Sequence, residues 1–131
     1  RKTPILCLAR QAHQQKRGMT MNDTRKQLVR MCESIADELD RVSCYGFMTK
    51  DGNSYWNEAL DVEYTLDCNG DYVGVVVTVA VGGPTIEIDT MRGEVVGTWG
   101  TDEVSAGFDG ETCDAIFDYW GDVLECMRPT R

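Results

Sequence analysis

The residues that most often perform acid–base and nucleophilic chemistry are scarce in this chain. Its 131 residues include a single histidine, His13, so a nucleophilic triad has only one candidate base. The run Gly82-Gly83-Pro84 lacks both the spacing and the following Lys-Ser/Thr of a phosphate-binding loop, and it predicts a turn between strands. Asp67, Asn69 and Asp71 superficially resemble a calcium loop. The glycine spacing and the distal glutamate that such a loop needs are absent, so we predict a hairpin there and no catalytic residue.

Carboxylates are the abundant chemical group. The chain has 22 Asp and Glu against 13 Lys and Arg, with a net charge of −9 and an isoelectric point near 4.5. This sign argues against direct binding of nucleic acid and permits a partner that is itself basic. Paired carboxylates also hydrolyse glycosides, but where acids are this common their presence indicates little.

The most regular set of acids lies in the last predicted helix, at three- and four-residue steps opposite an apolar stripe. Its members are Glu111, Asp114, Asp118, Asp122 and Glu125. A four-residue step places carboxylates about 6 Å apart along the axis, a spacing comparable with a row of nucleic-acid phosphates, and like charges so placed repel each other. Three interpretations stay open: a solvated helix face, a cation or polyamine site, or a surface that imitates phosphates and occupies a basic groove.

Tryptophan and cysteine offer further candidates. Trp99 lies near Gly97 and Gly100, which favours either a core position or a partly exposed partner contact, and we include it in the candidate partner-binding site. The six cysteines contain no Cys-x-x-Cys spacing. This predicts buried or partly buried free thiols and a reducing, cytoplasmic compartment. Because the one histidine lies near the start of the chain, we predict neither a metal site nor a cofactor.

Two helices and a set of short strands must position these groups. The capping-box spacing of Thr24 and Gln27, with Asn22 and Asp23 as alternative caps, predicts the start of a first helix. An apolar stripe from Leu28 to Val42 continues it, and residues 43–46 end it. Residues 111–127 repeat this period and stop at Pro129. No run approaches the eighteen apolar residues of a membrane span.

The strands are predicted from alternation and turn residues. Four well-marked segments are separated by short connections, the first of which is the two-residue hairpin turn Asn69-Gly70. They are Asp61–Cys68, Tyr72–Val81, Thr85–Thr90 and Glu94–Gly100. A further hairpin is expected between Tyr45–Thr49 and Ser54–Trp56, and 101–110 is predicted to be a polar loop. The fold class is therefore α+β, an antiparallel meander of about four strands flanked by an N-terminal and a C-terminal helix.

Charge divides the chain unevenly. Residues 1–30 contain eight basic residues and one acid, a net charge of +7, which leaves −16 on the remaining 101 residues. Residues 1–18 hold five basic residues and no acid, and they show no sustained amphipathic period. We interpret them as an added or mobile basic extension, with a targeting segment and a functional arm as alternatives. Residues 19–131 are predicted to form one domain.

A resemblance joins these observations to a class of proteins. Three consecutive segments, Gly82-Gly83-Pro84, Ile86–Thr90 and Val96–Gly100, resemble small single-domain proteins of phages and other mobile genetic elements of gut bacteria. The resemblance covers roughly residues 60–125, and small acidic proteins of this kind resemble anti-CRISPR and antirestriction inhibitors. It implies a protein–protein interaction that blocks the nucleic-acid channel of a CRISPR or restriction nuclease, as a DNA mimic in the bacterial cytoplasm. It assigns no residues.

We therefore expect a non-catalytic inhibitor that binds a basic protein, neither nucleic acid nor membrane. The chief alternative is a small enzyme or ligand-binding domain that uses a pocket on the sheet face. A third is an assembly protein that forms homo-oligomers through an open strand edge.

Overall fold

The computed structural model describes residues 21–128, so the expectations for residues 1–18, including His13, lie outside the described part. Two helices, α1 and α2, flank five strands, β1 to β5, in an α+β arrangement. This confirms the predicted class, with one strand more than expected. In chain order the elements are α1 (Met21–Val42), 3-10 helices at Ser43–Tyr45 and Tyr55–Glu58, β1 (Asp61–Leu66), β2 (Tyr72–Ala80), β3 (Thr85–Asp89), β4 (Glu94–Trp99), β5 (Asp102–Gly107) and α2 (Gly110–Met127).

The strands form a single antiparallel meander in the order β1-β2-β3-β4-β5. The prediction of a polar loop over residues 101–110 is wrong for Asp102–Gly107, which pairs with β4 from Trp99↔Asp102 to Glu94↔Gly107. Gly100, at φ 64°, allows the two-residue turn that joins these strands. β5 escaped prediction because it is a short edge strand in which only Val104 is a buried apolar residue.

Both helices pack on the same face of the sheet, here called the inner face. Strand register places Val77, Ile88 and Val95 side by side on this face, and all three are fully buried. α1 covers β4 and β5, whereas α2 covers β2. The inner face is therefore filled by the core, and no helix within residues 21–128 packs on the opposite, outer face.

α1 follows its predicted apolar stripe but begins earlier than expected. The helix starts at Met21, so the predicted cap residue Thr24 lies inside its first turn and is buried. The apolar side chains of the stripe face the sheet, as the period requires. They are Leu28, Met31, Cys32, Ile35, Ala36, Leu39 and Val42.

The segment between α1 and β1 is not the hairpin that its sequence suggests. It contains two 3-10 helices and one isolated bridge between Met48 and Ser54. Phe47 has a φ of 62°, which is unfavourable for a residue with a side chain. Its buried ring packs against Trp56 at 5.3 Å and Tyr119 at 5.9 Å. These aromatic contacts, rather than strand pairing, hold the segment against α2.

The connection between β1 and β2 is longer than the predicted two-residue turn. The strands end at Leu66 and resume at Tyr72, and among the loop residues only Gly70 has a positive φ. One carboxylate oxygen of Asp67 accepts hydrogen bonds from the backbone N–H groups of Asn69 and Asp71, at 2.9 and 3.0 Å. Asp67 therefore stabilises a wider loop, in which Asn69 does not adopt the left-handed conformation that the predicted two-residue turn requires.

Candidate interaction surfaces

The predicted acidic row lies on the solvent side of α2 and is called the α2 row below. All five side chains are exposed, and none forms a hydrogen bond or ion pair within residues 21–128. They are Glu111, Asp114, Asp118, Asp122 and Glu125. The row is therefore free to contact another molecule.

Tyrosines of the first two strands fix the orientation of α2. The Tyr64 hydroxyl donates a hydrogen bond to the Trp120 carbonyl at 2.8 Å, and the Tyr72 hydroxyl donates to the Phe117 carbonyl at 2.9 Å. The rings of Tyr72 and Phe117 stack with centroids 4.1 Å apart. Because Ile116 and Trp120 are buried beneath the helix, its acidic side must point away from the sheet.

The N-terminus of α2 is tied by hydrogen bonds to a side chain of α1. Asp109 is the N-cap residue but makes no side-chain capping bond. Instead, one carboxylate oxygen of Asp40 accepts hydrogen bonds from the Asp109 backbone N–H at 2.9 Å and the Thr112 hydroxyl at 2.7 Å. Periodicity alone places Asp40 on the solvent side of α1, and its role depends on how the helices pack.

The α2 row has little neutralising charge beside it. Successive acids at three- and four-residue steps each cost about 0.2–0.5 kcal/mol through repulsion. The Arg128 guanidinium donates a hydrogen bond to the Gly70 carbonyl at 3.2 Å, which directs this cation toward the β1–β2 loop. The row thus destabilises its own helix, and no contact within residues 21–128 offsets the cost.

Trp99 does not belong to this exposed surface. Its side chain is only 2% exposed and lies within the core cluster on the inner face of β4. A partner cannot reach the indole while the domain is folded, so the partner-contact role expected for Trp99 is corrected to a core role. Trp120, at 8% exposure, is also in the core.

A second acidic surface, which the sequence analysis missed, covers the outer face of the sheet. Register places Glu63, Asp89 and Glu94 in one row across the strands. Asp61 and Glu87 lie in the next row, on either side of Thr78. Glu103 on β5 pairs with Thr98 and shares this face. We call these six acids the sheet-face acids. Alternation in each strand indicates them, but only the pairing of distant strands brings them together.

Two of the sheet-face acids also have internal roles. Asp89 accepts hydrogen bonds from the backbone N–H groups of Met91 and Arg92, at 2.9 and 3.2 Å. Glu94 pairs with the Arg92 side chain at 3.1 Å. The other four carboxylates have no hydrogen bond or ion pair within residues 21–128. They are Asp61, Glu63, Glu87 and Glu103.

Small and apolar residues separate the acids. Along β2 the outer face presents Gly74, Val76 and Thr78, with acids of β1 and β3 on either side. Val76 is half-buried, and Val96, between Glu87 and Ser105, is buried although no helix covers it. The outer face therefore combines carboxylates with a floor of short side chains.

The thiols and phenols whose pKa values shift are poor candidates for catalysis. Burial and the nearby Glu33 raise the pKa of Cys32 to about 11. Burial, with Asp114 and Asp89 nearby, raises the pKa of Cys113. Burial also raises the pKa of Tyr72. Each group is therefore held in its protonated form at neutral pH, the opposite of an activated nucleophile.

The cysteines differ in exposure from the expectation. The five within residues 21–128 are free thiols, as predicted. Cys32 is buried and Cys113 half-buried, but Cys44, Cys68 and Cys126 are exposed, so the expected burial is wrong for these three. The helical and strand periods do not extend to Cys44, in a 3-10 helix, or to Cys68, in the β1–β2 loop.

Within the described part of the chain, no cluster of His, Cys, Asp or Glu has a geometry that could hold a metal ion. No helix there combines the length and apolar character needed to cross a membrane. The comparisons found no family model that matches the sequence, no similar curated protein and no solved structure with a matching fold. Function must therefore be argued from the surfaces themselves.

Proposed function

We propose that this protein is a non-catalytic inhibitor that uses the α2 row to occupy a basic, nucleic-acid-binding surface of another protein. The observation that supports this proposal most directly is the set of five exposed carboxylates on a rigidly held helix, none of which has a partner within residues 21–128. A regular line of negative charge competes with phosphates for the same lysines and arginines. Electrostatic attraction would speed the encounter of the two proteins.

The class of target follows from the same proposal. The resemblance of residues 60–125 to small proteins of mobile elements favours a host defence nuclease, of the CRISPR or restriction type, in the bacterial cytoplasm. The protein would then resemble anti-CRISPR and antirestriction inhibitors in action, as a DNA mimic. The core fills the inner face of the sheet. The alternative of a ligand-binding pocket is therefore not supported on that face.

The test is a pull-down from bacterial lysate with matched charge-reversal variants. Asp114→Lys with Asp118→Lys is expected to abolish recovery of a nucleic-acid-binding protein that the parent chain retains. Glu33→Lys with Asp37→Lys is the control, because it makes the same change in charge at the same spacing on an exposed part of α1. Circular dichroism should show that both variants remain folded.

Two results would contradict the proposal. One is equal recovery of the partner by the Asp114/Asp118 variant and the parent, which would make the α2 row a solvated face. The other is a complex whose affinity is unchanged at moderate salt and in the presence of excess duplex DNA. If the α2 row imitates phosphates, added salt must weaken the complex and duplex DNA must compete with the row for the partner.

A further inference from the structure

The outer face of the sheet is an extended surface that lacks a partner element within residues 21–128. Two strands, β1 and β3, each contribute two acids to this face, and β2 lies between them. Asp61 and Glu63 form one column, and Glu87 and Asp89 form the other. Neighbouring strands lie about 4.8 Å apart, so the columns are separated by about 10 Å. A chain lying along β2 would therefore have carboxylates on both sides.

The floor between the columns accommodates such a chain. Gly74 has no side chain, and Val76 and Thr78 have short ones. The Met91 side chain occupies the space above Gly74, so the open part of the floor is Val76 and Thr78, and Met91 bounds it at one end. Lysine and arginine pack their aliphatic stems on apolar surface while their charged ends reach polar groups. Val76 and the nearby carboxylates match these two requirements.

We propose that the outer sheet face is a docking surface for an extended, lysine- and arginine-rich segment of a protein partner. Charge complementarity carries the assignment, since the face presents six acids, and Arg92, the one Lys or Arg between residues 61 and 107, is already paired with Glu94. This surface is separate from the α2 row, because α2 lies on the inner side of the sheet. The inference stands on the sheet alone and does not depend on the proposed inhibitor function.

The two acidic surfaces differ in the partner that each fits. The α2 row is a single line on a convex helix, which a groove in a folded protein can enclose. The outer face is two-dimensional and places charges on both sides of a floor. An extended segment makes more ion pairs there than on a single line. We therefore expect a short basic peptide to prefer the sheet.

The experiment uses the full chain and a fluorescein-labelled synthetic peptide of alternating Arg and Ser. Fluorescence anisotropy measures its affinity at low and moderate ionic strength. Glu63→Gln with Glu87→Gln is expected to weaken binding about five-fold, as the loss of two exposed ion pairs implies. Glu33→Gln with Asp37→Asn, on exposed α1 positions, makes the same change in charge and should weaken binding less than about two-fold.

Three outcomes would overturn this inference. Equal loss in the sheet and α1 variants would show attraction to net charge alone. Loss confined to Asp114→Asn with Asp118→Asn would move the peptide to α2 and leave the proposed inhibitor function intact. A large gain in affinity for Arg10→Gln with Lys16→Gln and Arg17→Gln would assign the face to the chain's own basic residues. Conversely, equal recovery of a partner by the parent and the Asp114/Asp118 variant, while the peptide follows the sheet variants, would remove the inhibitor proposal and leave this one standing.

Discussion

Gly97 lies where α1 comes closest to the sheet. A methyl group added there would lie 2.7 Å from the Cys32 sulfur and 2.9 Å from Leu28 Cδ1. Both neighbours are fully buried, so neither side chain can move aside into solvent. The absence of a side chain at Gly97 therefore sets how closely α1 approaches β4.

We predict that Gly97→Ala lowers the free energy of unfolding by about 1–3 kcal/mol, because it overpacks the interface between α1 and β4. Urea denaturation followed by circular dichroism measures the change. Gly110→Ala is the control, since an added methyl at that position meets no atom within 4 Å. Its expected effect is neutral or stabilising by up to about 1 kcal/mol. Equal stability of the two variants would show that the interface accommodates the methyl group.

Part of the packing between α1 and the sheet could be predicted from the sequence. The apolar stripe of α1 was predictable because burial follows the helical period, and Cys32 and Leu39 are both fully buried. The closeness of Gly97 to Cys32 was not predictable, because it depends on how a helix and a strand far apart in sequence cross. The positive φ of Phe47 was likewise hidden, since only its tertiary contacts compensate for the strain.

At the scale of elements, the two helices are joined by one carboxylate. Asp40 of α1 accepts hydrogen bonds from the Asp109 backbone N–H and the Thr112 hydroxyl at the start of α2. Removing the acceptor of a partly buried hydrogen bond typically costs about 1–3 kcal/mol. The docking of α2, and with it the direction of the α2 row, depends in part on this bond between helices.

Asp40→Ala is expected to destabilise the protein by about 1–2 kcal/mol and to increase hydrogen exchange in the first turn of α2. Asp40→Asn retains an acceptor oxygen and should cost clearly less. Thermal unfolding and amide exchange detected by NMR measure the two effects. An Ala variant that is as stable as the parent, with unchanged hydrogen exchange in the first turn of α2, would show that water replaces the carboxylate equally well.

Prediction of the elements succeeded where one period extended over many residues. α2 and the three central strands follow their patterns closely, because each has a face in continuous contact with the core. β5 was missed because an edge strand has neighbours on one side only and needs few apolar residues. The segment after α1 was wrongly predicted to pair as strands, since its aromatic residues favour strands locally but pack against α2 instead.

Over the whole molecule, acidic groups greatly outnumber basic ones. Residues 21–128 contain all 22 acids and seven basic residues, a net charge of −15. The α2 row and the sheet-face acids lie on opposite outer sides of a two-layer structure. Composition predicted the excess of charge and periodicity predicted the α2 row. The second surface needed the register of five strands, which no local pattern contains.

We predict that added salt stabilises this protein. Raising NaCl from about 0.01 to about 1 M shortens the screening length from about 30 to about 3 Å and weakens repulsion among the acids. The midpoint of thermal unfolding should rise by about 4 °C, equivalent to roughly 1 kcal/mol, as measured by calorimetry. The Glu63→Gln, Glu87→Gln variant should gain less than the parent. A midpoint that falls with salt would mean that attractive ion pairs dominate.

The packing of α1 on β4 and β5 has a consequence for synthesis in the cell. Among the elements of residues 21–128, α1 leaves the ribosome before the sheet, and the strands that cover its apolar stripe come last in the sheet. β1, β2 and β3 can pair as each appears, because every connection joins neighbours. Leu28, Cys32 and Ile35 therefore remain exposed to solvent until residues 94–107 have been synthesised. During that interval the exposed apolar stripe of α1 is the part of the nascent chain at which a chaperone would bind or aggregation would begin.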